Sequence, residues 1–270
     1  MSFLSTNSRF INTVLIGGDF TAKLTAIAEA GFSGVELWQQ DVEHALMQTR
    51  AQLDTLNLAR TDYQVLLNFD GAVGDTRHEK QQEALRMITL ATEIGSPMLL
   101  VAANTAECDS RTIVSDLKGL CQQANKAGLR VAYEGMAWST EVDQCDKAWQ
   151  IIQQVNEPNL GLVVDAFHLY VLNRTLRDLD GIPAEKIFLV QLSDYDSQPV
   201  HEDIKTIARH QRLLPGEGCF PLKELVVYLD AIGYQGPVGL EVFNDDAAKQ
   251  DARIVAKRAK QALEQILMNT

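Results

Sequence analysis

One unit recurs along this 270-residue chain: an amphipathic run, a glycine, then a short apolar strand. It appears as AEAGFSGVEL, TEIGSPMLLV, NKAGLRVAYE and DAIGYQGPVGLE. A glycine just past an amphipathic run is a helix stop, because it enters the left-handed region without steric cost. Helices alternating with strands imply a parallel sheet, since parallel neighbours need a long crossover and the helix supplies it. Strands are predicted at 10–15, 34–37, 60–67, 98–101, 129–133, 160–165, 187–192 and 237–241. Helices are predicted at 20–30, 45–56, 79–94, 111–127, 145–155, 222–232 and 247–268. Eight strands favour closure into a barrel over an open sheet, and this length suits one (β/α)8 TIM barrel. The expectation is a single α/β barrel domain over 1–270.

Composition narrows the function. Apolar residues make up 46% and charged residues 22%, which is ordinary globular usage. The net charge of −12 argues against nucleic-acid or anionic-membrane partners, which require a positive footprint. No G-x-G-x-x-G follows a strand and no phosphate-cradling G-x-x-x-x-G-K-[ST] occurs. The four cysteines form no C-x-x-C, which speaks against a zinc knuckle or redox pair and for free thiols in a reducing compartment. The opening MSFLSTNSRF is not a secretory leader, and no apolar window approaches the ~18 residues of a membrane span. The cytoplasm is the expected location. Barrels of this size often form homo-oligomers, but no exposed stripe marks an interface.

Polar residues terminate the later strands. VAYEG ends in Glu134, LGLVVDAFH carries Asp165 and His168, IFLVQLSD carries Gln191 and Asp194, and VGLEVFN carries Glu241. The C-terminal ends of barrel strands converge on one mouth, so Glu134, Asp165, Gln191 and Glu241 are candidates for one divalent metal ion. All four offer hard oxygens, which suits Mg²⁺ or Mn²⁺ better than zinc, and ligand type does not separate Co²⁺ from these. Three clustered carboxylates without a cation would raise one another's pKa values. A single strand-end carboxylate is often no more than a helix cap; four consecutive strands ending this way point to metal. His168, three residues past Asp165, is the candidate general acid or base, with Glu134 beside it. Arg212 and His210, in RHQRLLPGEG, are candidates for gripping a substrate anion. Trp138 and Phe69, near strand ends with Trp38, are candidate pocket walls. Glu36 reads equally as support for the site or as packing, Asp194 as an orienting group or an N-cap, and Glu217 as turn chemistry. The irregular stretch 193–220 is the expected lid.

On these residues the chain resembles the xylose-isomerase-like barrel superfamily. The shared pattern is E … D-x-x-H … [HQ]-x-x-D … R-x-x-P-G-E-G … E, running from 134 to 241. Within that group it is most similar to the bacterial 3-dehydroshikimate dehydratases, through AGFSGVEL, GLRVAYEGMAW, LGLVVDAFH, KIFLVQLSD and RHQRLLPGEG. Glutamine at 191, where most relatives of the superfamily carry histidine, is a feature of that subgroup. The resemblance implies a divalent-metal-dependent lyase acting on a small hydroxyketone, forming protocatechuate from 3-dehydroshikimate through a metal-stabilised enolate. It implies the metal ligands Glu134, Asp165, Gln191 and Glu241, with His168 in the reaction centre. One departure stands out: Leu67, in QVLLNFDG, occupies the place where the subgroup carries an arginine. That favours the alternative, a metal-dependent sugar or sugar-phosphate isomerase or epimerase acting on a ketose or inosose. A non-catalytic metal-binding barrel is a third reading. The superfamily's endonucleases need histidine-rich zinc clusters and a basic groove, which five histidines and this charge do not provide.

Overall fold

Eight parallel strands close on one another in sequence order in the computed structural model, which describes residues 4–196 and 204–268. The strands are β1 (Arg9–Asn12), β2 (Gly34–Trp38), β3 (Ala59–Leu66), β4 (Met98–Ala102), β5 (Arg130–Glu134), β6 (Leu160–Asp165), β7 (Ile187–Leu192) and β8 (Val238–Leu240). The helices are α1 (Phe20–Glu29), α2 (Gln39–Val42), α3 (Leu46–Thr55), α4 (Gly74–Ile94), α5 (Ile113–Lys126), α6 (Cys145–Val155), α7 (Ala166–Tyr170), α8 (Ile204–His210), α9 (Leu222–Ala231) and α10 (Ala252–Met268). The fold is therefore the expected (β/α)8 barrel. Buried aliphatic side chains from both faces of the strands make the core, and the helices cover the outside. Among the described residues no helix is long and apolar enough to cross a membrane.

The glycine signals have the expected cause. Gly95 closes α4 at φ 82°, a left-handed conformation that any side chain would strain. Gly239 has a different role, because a Cβ there would meet the Phe10 carbonyl at 2.3 Å. Strand β1 stops earlier than predicted. The Asn12 side chain accepts from the Val14 N–H at 3.1 Å and turns Thr13–Leu15 into a 3₁₀ segment. The last helix starts later, at Ala252, because Asn244 and Asp251 side chains cap turns over 244–251 that the helical pattern hides.

Alternation along the strands separates two environments. On β5, Tyr133 faces the helix layer and donates to Asp70 Oδ2 at 2.6 Å, while Glu134 opens into the mouth. Burial pushes the Asp70 carboxyl up to about 7, against the Tyr133 hydrogen bond. The predicted loop 193–220 is not structureless. It contains α8, and its base is closed by Asp194, whose Oδ1 accepts from Tyr195 and Phe220 and whose Oδ2 accepts from Gly216. Glu217 accepts from Leu214 N and pairs with Arg258, so the P-G-E-G motif serves as turn chemistry here. The expectation of a lid falls partly on 197–203, which lie outside the described residues.

Candidate metal centre and mouth cavity

Glu134 ends β5, Asp165 ends β6, Gln191 is next to last in β7, and Glu241 follows β8 by one residue. Parallel register puts Asp165 beside Gln191, and Gln191 beside Gly239. All four are at most 5% exposed. Above them lies a cavity of about 360 Å³ whose lining includes Glu134, Glu241, His168, Arg212, Trp38 and Trp138. A concave site with a few convergent polar groups is where a small ligand binds.

The hydrogen bonds show which oxygens are committed. Asp165 Oδ1 accepts from the Phe167 N–H at 2.7 Å, capping α7, and Oδ2 accepts from Arg212 Nη1 at 2.7 Å. Glu241 Oε1 accepts from Asn12 Nδ2 at 3.1 Å, and Oε2 from Arg212 Nη1 at 3.2 Å. Gln191 donates its Nε2 to Glu36 Oε1 at 2.8 Å, which leaves its carbonyl oxygen for the centre. Two buried acceptors then have no partner: Glu134 Oε1 and Gln191 Oε1. An unpaired buried acceptor costs about 1–3 kcal/mol, so this arrangement asks for a positive group between them.

Charge gives the same answer. Three carboxylates face one guanidinium, an excess of two negative charges when all are ionised. Burial, then the charges of Glu241 and Asp165, push the Glu134 pKa well above its usual range. Burial carries Glu241 to about 7 even though Arg212 opposes the shift. Beneath the centre, Glu36 and Asp62 sit opposite each other on β2 and β3, and burial raises both well above the carboxylate norm. The donor set therefore fits a hard divalent cation, which would restore the ionised forms and fill both free oxygens.

Glu134, Asp165 and His168 present ligand atoms within 4.8 Å of one another. His168, however, is not placed as a ligand. Its Nδ1 accepts from the Ala137 N–H at 3.1 Å, so the neutral ring carries its proton on Nε2. That Nε2 lies 3.7 Å from both Glu134 Oε1 and Asp165 Oδ2 and presents N–H rather than a lone pair. Burial also lowers the His168 pKa to about 4, so the ring is neutral at ordinary pH. Of the acid and base roles expected of His168, this geometry favours the donor's: the Ala137 N–H holds Nδ1 and leaves the proton on Nε2.

Three expected substrate contacts are revised too. Arg212 lines the cavity, but it is 2% exposed. Its Nε donates to Ala208 O at 2.8 Å, Nη1 holds Asp165 and Glu241, and the plane lies 4.5 Å from the Phe167 ring centroid and 5.3 Å from that of Phe243. A guanidinium this deep needs its partners inside the protein, so it acts as a brace for two carboxylates rather than as a free two-point clamp. His210 points elsewhere, with Nδ1 3.1 Å from Asp245 Oδ2 on the exposed side. Phe69 lines a separate groove between α4 and α5, beside Arg77 and Leu85. Trp138 does wall the mouth, with its ring centroid 5.1 Å from that of His168.

Sequence reasoning missed Asn12, Gln64, Met136, Arg209 and Phe243. Asn12 ends β1 and carried the same strand-end signal as the four ligands, but its strand was read too long. Gln64 lies within β3, where nothing in the residue pattern marks it as mouth-lining.

Comparison with known proteins agrees with this fold. The family model described as xylose isomerase-like TIM barrel matches residues 24–266. A 3-dehydroshikimate dehydratase of Pseudomonas aeruginosa is 35% identical over 243 residues, covering 88% of this chain and 38% of that protein. The chain thus spans about two fifths of the length of that relative. An inosose isomerase of Halalkalibacterium halodurans is 25% identical over 186 residues, covering 68% of this chain and 64% of that protein. A solved fusion protein of a xylose isomerase-like TIM barrel with a 4-hydroxyphenylpyruvate dioxygenase superposes with a TM-score of 0.91 at 33% identity, covering 97% of this chain and 42% of the other. With the barrel closed, the strand-end oxygens gathered at its mouth and the family model spanning nearly the whole length, this chain belongs to the xylose isomerase-like TIM barrel family.

Proposed function

We propose that this chain is a divalent-metal-dependent lyase that converts 3-dehydroshikimate to protocatechuate in the cytoplasm, with neither nucleic acid nor membrane as a partner. The observation that carries the reading is the pair of unpartnered buried oxygens, Glu134 Oε1 and Gln191 Oε1, beside the carboxylates of Asp165 and Glu241 at the base of a mouth cavity of about 360 Å³. The named activity of the Pseudomonas relative supplies the substrate class. Glu134, Asp165, Gln191 and Glu241 would hold the ion, and their all-oxygen character favours Mg²⁺ or Mn²⁺. When bound, the ion supplies Lewis acidity to a ketone oxygen and balances developing negative charge.

The residues then divide the work. Glu134 is the proton acceptor: it lines the cavity, and with Oε1 given to the ion its second carboxylate oxygen remains to take the proton. A proton leaves the carbon beside the ketone, hydroxide leaves the β-carbon, and tautomerisation completes the aromatic ring, so the product is the substrate less one water. The Nε2–H of His168, 3.7 Å from Glu134 Oε1, would donate to substrate oxygen as that charge moves. Trp38, Trp138 and Met136 wall the cavity and reduce competing water.

Incubation with 3-dehydroshikimate and Mg²⁺ should give a near-ultraviolet absorbance rise from protocatechuate, abolished by chelator and restored by metal. A flat trace with Mg²⁺, Mn²⁺ and Co²⁺ would sink the lyase. The second reading, an isomerase or epimerase of an inosose or ketose, is favoured by the apolar Leu67 in the lining and by the inosose isomerase relative. It predicts interconversion of an inosose under the same metal dependence.

A further inference from the structure

Two arginines line the mouth cavity, and they are in opposite situations. Arg212 is buried, and its Nη1 and Nε are committed to Asp165, Glu241 and Ala208 O. Arg209 is exposed, lines the same cavity, and pairs with no acidic group among the described residues. Its backbone is nonetheless fixed. Next to it, Ala208 O takes Arg212 Nε, His210 O accepts from the Asp245 N–H, and Gln211 bridges to Asn244. Ile204, Ile207 and Ala208 of α8 are buried against the barrel. Arg209 is thus a charged side chain with a free head on an anchored stem.

A second observation points to a ligand at the same place. Gln64, 1% exposed, lines the cavity, and its Nε2 has no partner. The indole N–H groups of Trp38 and Trp138, also lining it, are buried and unpartnered. Three neutral donors left unsatisfied in the wall of one cavity are costly unless a ligand rich in oxygen draws them inward. The acceptors Glu134 Oε1 and Gln191 Oε1 are unpartnered as well. The residues around this cavity thus carry acceptors suited to a cation together with donors and one uncommitted guanidinium suited to an oxygen-rich ligand.

We propose that Arg209 is the carboxylate-recognising residue of this chain, taking the acid group of a cyclic hydroxy-carboxylate while Gln64 and the two indoles donate to its oxygens. This rests on the lyase reading for the identity of the substrate but not for the existence of the anion site. A guanidinium matches a carboxylate by two parallel hydrogen bonds, so loss of Arg209 removes discrimination for the acid and leaves the ring's own affinity in place.

The test uses metal-loaded protein and a pair of probes that differ by one carboxylate, protocatechuate and catechol, with affinities measured by calorimetry. The wild-type protein should bind protocatechuate roughly tenfold or more tighter than catechol. Arg209→Ala should bring the two within about twofold of each other without changing catechol affinity, and Arg209→Lys should keep part of the preference. In turnover, Arg209→Ala should raise KM and leave kcat within about threefold. An unchanged acid preference in Arg209→Ala overturns the assignment, as does wild-type protein that fails to bind protocatechuate. If the wild-type protein makes no protocatechuate from 3-dehydroshikimate yet its acid preference depends on Arg209, the lyase reading falls and the Arg209 site stands. If turnover is present and the preference is independent of Arg209, the reverse holds.

Discussion

The rim of the barrel has two unlike halves. Strands β5 to β8 deliver Glu134, Asp165, Gln191 and Glu241, side chains that accept hydrogen bonds or bind cations. At the rim itself strands β1 to β4 deliver Asn12, Trp38, Gln64 and Ala102, none of them charged, with the carboxyls of Glu36 and Asp62 one layer below. In the first half the unsatisfied rim atoms are oxygens; in the second the rim atoms are the N–H groups of Trp38 and Gln64, joined by Trp138 just past β5, while oxygens of Glu36 and Asp62 stay unpartnered below them. One barrel rim thus sets atoms suited to a cation apart from atoms suited to an oxygenated organic molecule. Glu36 joins the halves, reaching from β2 to the amide of Gln191 on β7.

The comparison is most exposed to failure at Arg212, the buried cation of the acceptor half. Arg212→Met keeps much of the side-chain volume between Phe167 and Phe243 but leaves Asp165 and Glu241 facing each other unpaired. Without metal, unfolding in urea should show a loss of about 3–5 kcal/mol. With saturating Mn²⁺ the loss should shrink, because binding to the native state alone replaces the missing charge. Equal losses in both conditions would mean that the acceptor half does not behave as one charge cluster.

The acceptor half was the more legible one in the sequence, for a physical reason. A carboxylate at the end of an apolar strand interrupts the hydrophobic run, so Glu134, Asp165 and Glu241 announce themselves. Gln64 interrupts β3 in mid-strand, in DYQVLL, and the tryptophans are legible as pocket walls but not as donors; whether their N–H groups find partners is decided by side chains distant in sequence. Arg212 was legible as important but not in its role. Its partners come from β6 and from beyond β8, and only closure of the barrel brings them to it. His168 was legible as a site residue, yet its tautomer is fixed by a backbone N–H from residue 137, which no residue pattern encodes. The fold itself was readable almost throughout because the helix–glycine–strand unit is local. Its errors lie where Asn12, Asn244 and Asp251 side chains cap turns and cut elements short.

His168 is a donor standing among acceptors, and it sharpens the division. His168→Ala should lower kcat by roughly 10²-fold while divalent affinity stays within about threefold, since its Nε2 offers no lone pair to a metal. Calorimetric titration with Mn²⁺ beside turnover of 3-dehydroshikimate measures both. A parallel collapse of metal affinity would make His168 a ligand and would move Ala137 out of its proton-fixing role.

The smallest expected effect tests the link between the halves. Glu36 is fully buried, its Oε2 has no partner, and it faces Asp62 with both pKa values raised by burial. Two buried carboxyls side by side are a poor way to stabilise a core, so Glu36→Leu should leave stability unchanged or raise it. The same substitution frees the Gln191 amide to turn its nitrogen toward the centre, where a cation would be repelled. Divalent affinity should therefore fall by about 10–100-fold. Opposite movements of stability and metal affinity would show that Glu36 serves the site at the expense of the core; parallel movements would make it a packing residue, and the two halves of the rim would then have no side chain joining them.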